Sequence, residues 1–383
     1  MNTNYALPFL AAVTLLGFSS CAGGSSAAVT ADDYDVSIYT PAYASGFGIV
    51  GREGGRSVII NVTDPWQGAD SVVSGLFVRR GGEPVPDGFG GQVLEGDASR
   101  IVAMSSTHVA MLGAIGADSL VVGVSGLGYI SNANIRARED EVGDVGYDGN
   151  VNYEMLVSLD PDIVLLYGVD GASPMESKLT ELGIPYMYVG DYLEESPLGK
   201  AEWMVAVAEI TGRREQGMET FAGIPARYEA IRRKVAGARL EAPAVMVNTP
   251  YAGSWFMPPQ GSYITTLIAD AGGELVYKAD TGNTSVAIDL EEAYRLTSGA
   301  DVWINVGSAT SMEEIRRAYP KVADTECVAR GMVYNNNLRS QPGGGNDYFE
   351  SGVVEPDVVL RDLVKIFHPQ LVEEDFHYYR KLQ

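Results

Sequence analysis

The side chains of this chain best suited to chemistry are rings and amides grouped between regular segments, and their chemistry is adhesive. Tyr129, Tyr147, Asn150, Tyr167, Tyr192, Tyr251, Trp255, Phe256, Asn283, Asn305, Asn335, Asn336, Asn337, Arg339 and Tyr348 fall in such loops. Rings with a polar edge suit a large, flat or greasy ligand that also needs a few hydrogen bonds. Trp255 and Arg339 are the foremost single candidates. Ser106 and His108 join the set, because Ser105-Ser106-Thr107-His108 sits between a buried strand and the helix after it, where side chains reach a cleft at strand carboxyl ends.

No catalytic signature accompanies these residues. A Walker-type glycine loop ending in Lys-Ser/Thr, His-Glu-x-x-His, Cys-x-x-Cys and a G-x-S-x-G elbow are all missing from the sequence. The three histidines, His108, His368 and His377, are too scattered for a direct metal-ion site, and His368-Pro369 reads as a helix exit. The reading is a binder rather than an enzyme, with no cofactor and no protein-held metal. Gly343-Gly344-Gly345, beside Arg339, reads as a loop that could cradle an anion. Cys327 reads as a small buried residue.

The elements that must position these side chains come in two similar sets. Asn152-Tyr153-Glu154-Met155-Leu156-Val157-Ser158-Leu159 runs through Pro161-Asp162 into Ile163-Val164-Leu165-Leu166. Asp289-Leu290-Glu291-Glu292-Ala293-Tyr294-Arg295-Leu296 runs through Ala300-Asp301 into Val302-Trp303-Ile304. Each is a capped, acidic-ended helix feeding a buried strand, so two similar lobes are expected with a cleft between them. Strand and helix patterns alternate from Arg100 to Val189 and again from Val245 to Phe367, which implies parallel sheets.

The fold class expected is α/β: two Rossmann-like lobes joined by a long backbone helix, with a small N-terminal β extension. Residues 1–20 read as a signal peptide and 21–34 as a flexible tether of Ala, Ser, Gly and Thr. The β extension covers 35–97, with a hairpin around Gly54-Gly55. Lobe one covers 98–195 and lobe two 241–383, and the connection runs over 196–240, opened by Ser196-Pro197 and kinked at Pro225. Cys21, at the end of the apolar Leu7 to Phe18 run, sits as the acylated cysteine of a bacterial lipobox does, which implies a membrane tether by lipid. With 27 Lys+Arg against 50 Asp+Glu, the net charge of -23 opposes nucleic acid and anionic membrane surfaces as partners.

From about Ser99 to the C-terminus the chain resembles the class III periplasmic substrate-binding proteins of ABC importers for iron-siderophore, haem and cobalamin. The residues that carry the likeness are Arg100 to Ser106, Leu112-Gly113-Ala114-Ile115-Gly116, Asp144-Val145-Gly146, Asn152-Tyr153-Glu154 with Leu159-Asp160-Pro161-Asp162, and Leu182-Gly183-Ile184-Pro185. Ser196 to Trp203, Gly253-Ser254-Trp255-Phe256-Met257-Pro258 and Ala271-Gly272-Gly273 extend it. The resemblance implies a monomer that holds a metal chelate between its lobes and delivers it to a permease with its ATPase. It also implies that one glutamate at each lobe tip docks on permease arginines, here Glu154 and Glu291, with Glu292 one residue away as the alternative. Polyanionic ferric catecholates would want several cations, and Arg339 stands nearly alone, so a hydroxamate-type siderophore ranks first and cobalamin second. Haem ranks third, with Tyr129, Tyr147 or His108 as axial ligand. A secreted two-domain enzyme of unknown substrate is the alternative from another class.

Overall fold

Apolar residues over Phe47–Gly51, Val58–Thr63 and Val73–Arg79 form three antiparallel strands, and the Gly55 N–H closes the first turn on the Arg52 carbonyl at 3.0 Å. The computed structural model describes residues 29–169, 171–278 and 285–383. In it these strands are the centre of a five-stranded sheet. Val36–Tyr39 and a parallel Gln92–Glu95 complete its edges, and neither edge was evident in the sequence pattern. The leader, Cys21 and Asn283 lie outside the described residues. The segment expected as a tether is already part of the body at its end: Thr30 bridges to Asp87, and buried Tyr34 meets Phe77 edge-on at 5.6 Å.

The first lobe carries five parallel strands in the spatial order Tyr186–Tyr188, Ile163–Leu166, Ile101–Ala103, Val121–Val124, Gly143–Asp144. The two central strands, Ile163–Leu166 and Ile101–Ala103, are buried on both faces, as a sheet covered by helices requires. Strand order reverses between Ile101–Ala103 and Ile163–Leu166, which is where α/β sheets open a crevice for ligand. The second lobe repeats the plan with Glu274–Leu275, Ala244–Val247, Val302–Ile304 and Val333–Asn335 in parallel and Arg380–Lys381 antiparallel at the edge. Its reversal lies between Ala244–Val247 and Val302–Ile304.

The repeated sequence unit has a physical basis. Asn152 and Asp289 cap their helices through the N–H groups of Met155 and of Glu291 and Glu292. Then Asp162 accepts the N–H groups of Ser99 and Arg100 at 2.7 and 2.9 Å, while Asp301 accepts that of Ala244 at 2.8 Å. In both lobes one aspartate therefore sets the register of the inner strand against the lobe's first strand.

The connection between lobes is three helices, Pro197–Glu202, Met204–Ile210 and Arg214–Ala238. Ser196 caps the first, with Pro197 at its first position, as the sequence indicates. The third helix runs through Pro225 without interruption. The breaks fall instead at Trp203 and near Gly212, whose φ of +68 ends a helix cheaply. A Cβ at Gly217 would lie 2.5 Å from the Ala208 Cβ, so glycine there lets the last two helices touch.

Three buried glutamates bind the N-terminal sheet to this connection. Glu202 accepts the Tyr39 hydroxyl at 2.6 Å and the N–H groups of Ala42, Tyr43 and Ala44 at 2.7 to 2.8 Å. Glu194 accepts Ser45 N–H, Gly46 N–H and the Trp203 indole N–H at 2.9 to 3.0 Å. Glu209 pairs with Arg80 at 2.5 Å and with Arg214 at 2.7 Å. Replacing Glu202 by Ala strands four donors, and we expect a loss of about 3 kcal/mol or more, with Glu202→Gln losing less. Chemical denaturation of both variants checks this, and equal stability of Glu202→Ala and wild type would contradict it.

Candidate functional site

The lobe-one reversal opens onto a cleft between the lobes, lined by Ser105, Ser106 and Thr107 just past Ile101–Ala103. Its inner end is a cavity of about 280 Å³ bounded by Ser105, Ser106 and Thr107 from lobe one, Lys200 from the connection, and Tyr263 and Phe349 from lobe two. Ser105 caps the helix Ser106–Ala114, so hydroxyls crowd the floor. Lys200 is no loose cation: its Nζ is 3.4 Å from Asp191, donates to the Asp191 carbonyl at 3.0 Å and lies 4.8 Å from the Tyr263 ring centre. A second, outer cavity of about 610 Å³ shares Tyr263 with the first. That volume falls in the range of small-molecule sites.

At another edge of the cleft the lobes already touch. A Cβ at Gly343 would lie 2.5 Å from the Gly128 carbonyl oxygen, and one at Gly345 2.5 Å from that of Tyr129. The triple glycine, read from the sequence as a loop that could cradle an anion, is the place where two backbones meet. Beside it Glu350 of lobe two accepts the Ser131 N–H of lobe one at 2.7 Å. Burial pushes the Glu350 carboxyl up to about 7, with the Asp347 carboxylate adding to the rise and the Ser131 N–H opposing it.

The expected ligand residues divide into three groups. Tyr129 and Tyr147 stand half exposed as an edge-to-face pair 6.2 Å apart, and Phe256 is also exposed. Ser106 and Tyr167 are half-buried, with Ser106 on the inner cavity. Arg339 is partly exposed but pairs with Asp347 at 2.5 Å. Four others lie in the core. His108 is fully buried, and burial pushes its imidazole down to about 4, so the ring is neutral near pH 7. Trp255 is packed 5.6 Å from Trp303 and donates to the Val247 carbonyl at 2.8 Å. Asn336 is buried as well, and Tyr348, ringed by Phe349, Tyr378 and Tyr379, reaches the inner cavity only as part of its wall.

Several asparagines near the cleft hold its loops in place. Asn248 and Asn305 take left-handed φ of +65 and +59 at the carboxyl ends of adjacent strands, a conformation asparagine tolerates. Asn335 donates to the carbonyls of Gly307 and Ala309, and Asn337 to that of Ala309. Sequence reasoning missed Phe349, 52% exposed beside buried Tyr348, and also Lys200 and Tyr263. The Tyr348-Phe349 pair was the signal, but nothing local says which ring points outward.

Residues 101–336 match the model of the periplasmic binding protein family. The chain belongs to that family. An uncharacterised lipoprotein of Methanocaldococcus jannaschii is 26% identical over 336 residues, which cover 81% of this chain and 78% of the relative. A periplasmic haem-binding protein of Pseudomonas aeruginosa superposes with a TM-score of 0.58 at 17% identity, over 75% of this chain and 98% of that one. The periplasmic vitamin B12 binding protein of Vibrio cholerae gives 0.52 at 15% identity, over 70% and 96%. At such identities the two solved structures establish the fold alone. As a periplasmic binding protein of the ABC-importer type, the chain has solute capture as its task, and its family and neighbours are binders rather than enzymes.

Two outcomes follow from this geometry. Trp255→Ala should lower the stability of lobe two by about 3–5 kcal/mol while leaving solute affinity of the folded protein nearly unchanged; paired denaturation and titration separate the two effects. Glu350 carries a carboxyl raised in the folded state, so its stabilising share is complete below its ordinary value of 4.5 and is lost as pH climbs through about 7. Wild type should therefore lose melting temperature between about pH 5 and pH 8 more steeply than Glu350→Gln, and identical slopes would contradict it.

Proposed function

We propose that this periplasmic binding protein captures a metal chelate in the interlobe cleft and passes it to the permease of an ABC importer. A ferric siderophore of hydroxamate type is the first choice of solute and a cobalamin the second. The observation that carries this reading is the cleft's pairing of aromatic walls with scarce positive charge. Tyr129, Tyr147 and Phe349 offer exposed rings, while Lys200 and Arg339 are each neutralised by an aspartate. Such a surface favours a bulky, nearly neutral chelate over a polyanion. Vitamin B12 is the solute named for one protein of this fold, and haem for another.

Haem is the second reading, supported by the exposed Tyr129 and Tyr147 phenols at the cleft edge, either of which could supply an axial oxygen. Acylation of Cys21 would hold the protein at a membrane surface outside the cytoplasm, in keeping with a relative called a lipoprotein. Among the described residues no helix is long and apolar enough to cross a membrane.

Docking to the permease is assigned to Glu154 and Glu291, both exposed in the first turns of equivalent helices. Exposed Met155 and Val157 flank the first, and Leu290 and Tyr294 the second. Glu292, the neighbouring alternative, is held by Arg295 at 2.6 Å, which favours Glu291. Titration of the body lacking residues 1–21 with a ferric hydroxamate, a ferric catecholate, cobalamin and haem tests the capture step by absorbance and tryptophan quenching. Saturable binding of one chelate is expected. The Glu154→Arg, Glu291→Arg double variant should retain that binding and lose uptake into cells. Failure of every chelate would end the reading, and normal uptake by the double variant would end the docking assignment.

A further inference from the structure

The outer cavity has a wall that the two lobes do not supply. Between Thr63 and Val73 the N-terminal sheet sends out a compact loop, closed at its base by the Asp64 N–H on the Val72 carbonyl at 2.8 Å. Internal bonds from Ala69 to Trp66 and from Val72 to Ala69 stiffen it. The loop docks beside the carboxyl end of Ile163–Leu166, a strand that flanks the lobe-one reversal. Trp66 bridges to Gly168 through backbone, its ring meets Tyr188 edge-on at 5.4 Å, and the Gln67 N–H reaches the Tyr192 hydroxyl at 3.2 Å. Across the cavity stand Pro259, Ser262 and Tyr263 of lobe two.

The charge of this enclosure is one-sided. Its lining includes Asp64, Asp70, Glu194 and Glu195 and contains no Lys, Arg or His among the described residues. Glu194 is already saturated by the N–H donors of Ser45, Gly46 and Trp203. Asp64, Asp70 and Glu195 are exposed, so their negative field acts on whatever enters. Trp66, only half-buried, offers an aromatic face next to them.

We propose that the Asp64–Asp70 loop of the N-terminal sheet is a third wall of the solute site, seating on Trp66 a chelate whose outer face is cationic and repelling polyanionic chelates. This deepens the chelate reading and rests on it. A solute held there touches both lobes and the sheet at once, and carboxylates facing a positive edge raise its encounter rate and reject anions.

The probes are the ferric complex of a linear trihydroxamate bearing a free terminal ammonium and the same complex N-acetylated, which removes the positive charge and little else. Aquacobalamin and cyanocobalamin form the equivalent cationic and neutral pair should a corrinoid be the solute. Wild type is expected to bind the cationic member about 3- to 10-fold more tightly at low ionic strength, with the preference shrinking as salt is added. Asp64→Asn with Asp70→Asn should erase that preference while leaving the neutral member's affinity in place. Trp66→Ala should weaken both members about tenfold or more. Asp70→Trp, made at an exposed position on the cavity lining, should block the cavity and give the same loss, with an unchanged melting temperature as the check that the fold is intact. Equal affinities for the two members in wild type, or an unchanged preference in the Asn double variant, would overturn the charge assignment. Chelate binding that survives both Trp66→Ala and Asp70→Trp would overturn the third wall and leave the chelate reading standing. Binding of no chelate by wild type would overturn both.

Discussion

Burial of Glu194, Glu202 and Glu209 is the constraint on which the rest of the molecule turns. An unpaired carboxylate in that position would be costly by several kcal/mol, so each must be met by donors, and almost all of the donors come from the N-terminal sheet. Residues 39–46 wrap two of them, and Arg80 grips the third. The connecting helices therefore cannot adopt this packing without the sheet, and the sheet is held against the lobes by the same bonds. This explains why an extension outside the family-matched residues 101–336 is part of the working body.

That arrangement divides stiffness from motion. The connection is tied on one side by the glutamates and packed internally at Gly217, so it is the rigid part. The interlobe contact at Gly343, Gly345 and Ser131–Glu350 is of a different kind: close backbone approach, one hydrogen bond and a carboxyl that resists ionisation. Elsewhere the lobes meet through the Ser106 hydroxyl on the Phe349 carbonyl and the Thr266 hydroxyl on the Glu195 carbonyl.

The lobes were legible in the sequence because their determinants are local. A cap, an apolar helix face and an aspartate before a buried strand recur in both halves, and each element forms where its pattern lies. The site was less legible because its determinants are not local. Glu202 and its donors are about 160 residues apart in sequence, and an acid within a helix reads as a solvated face. Trp255 has the composition of a ligand anchor, yet its indole N–H finds the Val247 carbonyl, and Trp303 covers its ring. The Asn335 and Asn337 amides, which looked like ligand contacts, are taken up by the carbonyls of Gly307 and Ala309. Pro225 reads as a kink, while the break falls at Gly212, where a positive φ is available.

These outcomes share one rule: a polar or aromatic side chain near a cleft becomes available to solute only if the fold has not already used its hydrogen-bonding edge. Lys200 and Arg339 fail that test through Asp191 and Asp347, and His108 fails it through burial. Tyr129, Tyr147 and Phe349 pass it with exposed rings. The residue set that remains is aromatic, acidic and poor in cations, and the solute it admits must be complementary in shape to rings and in charge to carboxylates. The same rule makes Trp66 more informative than Trp255: both indoles lie near the cleft, but only the former keeps part of its ring at the cavity surface.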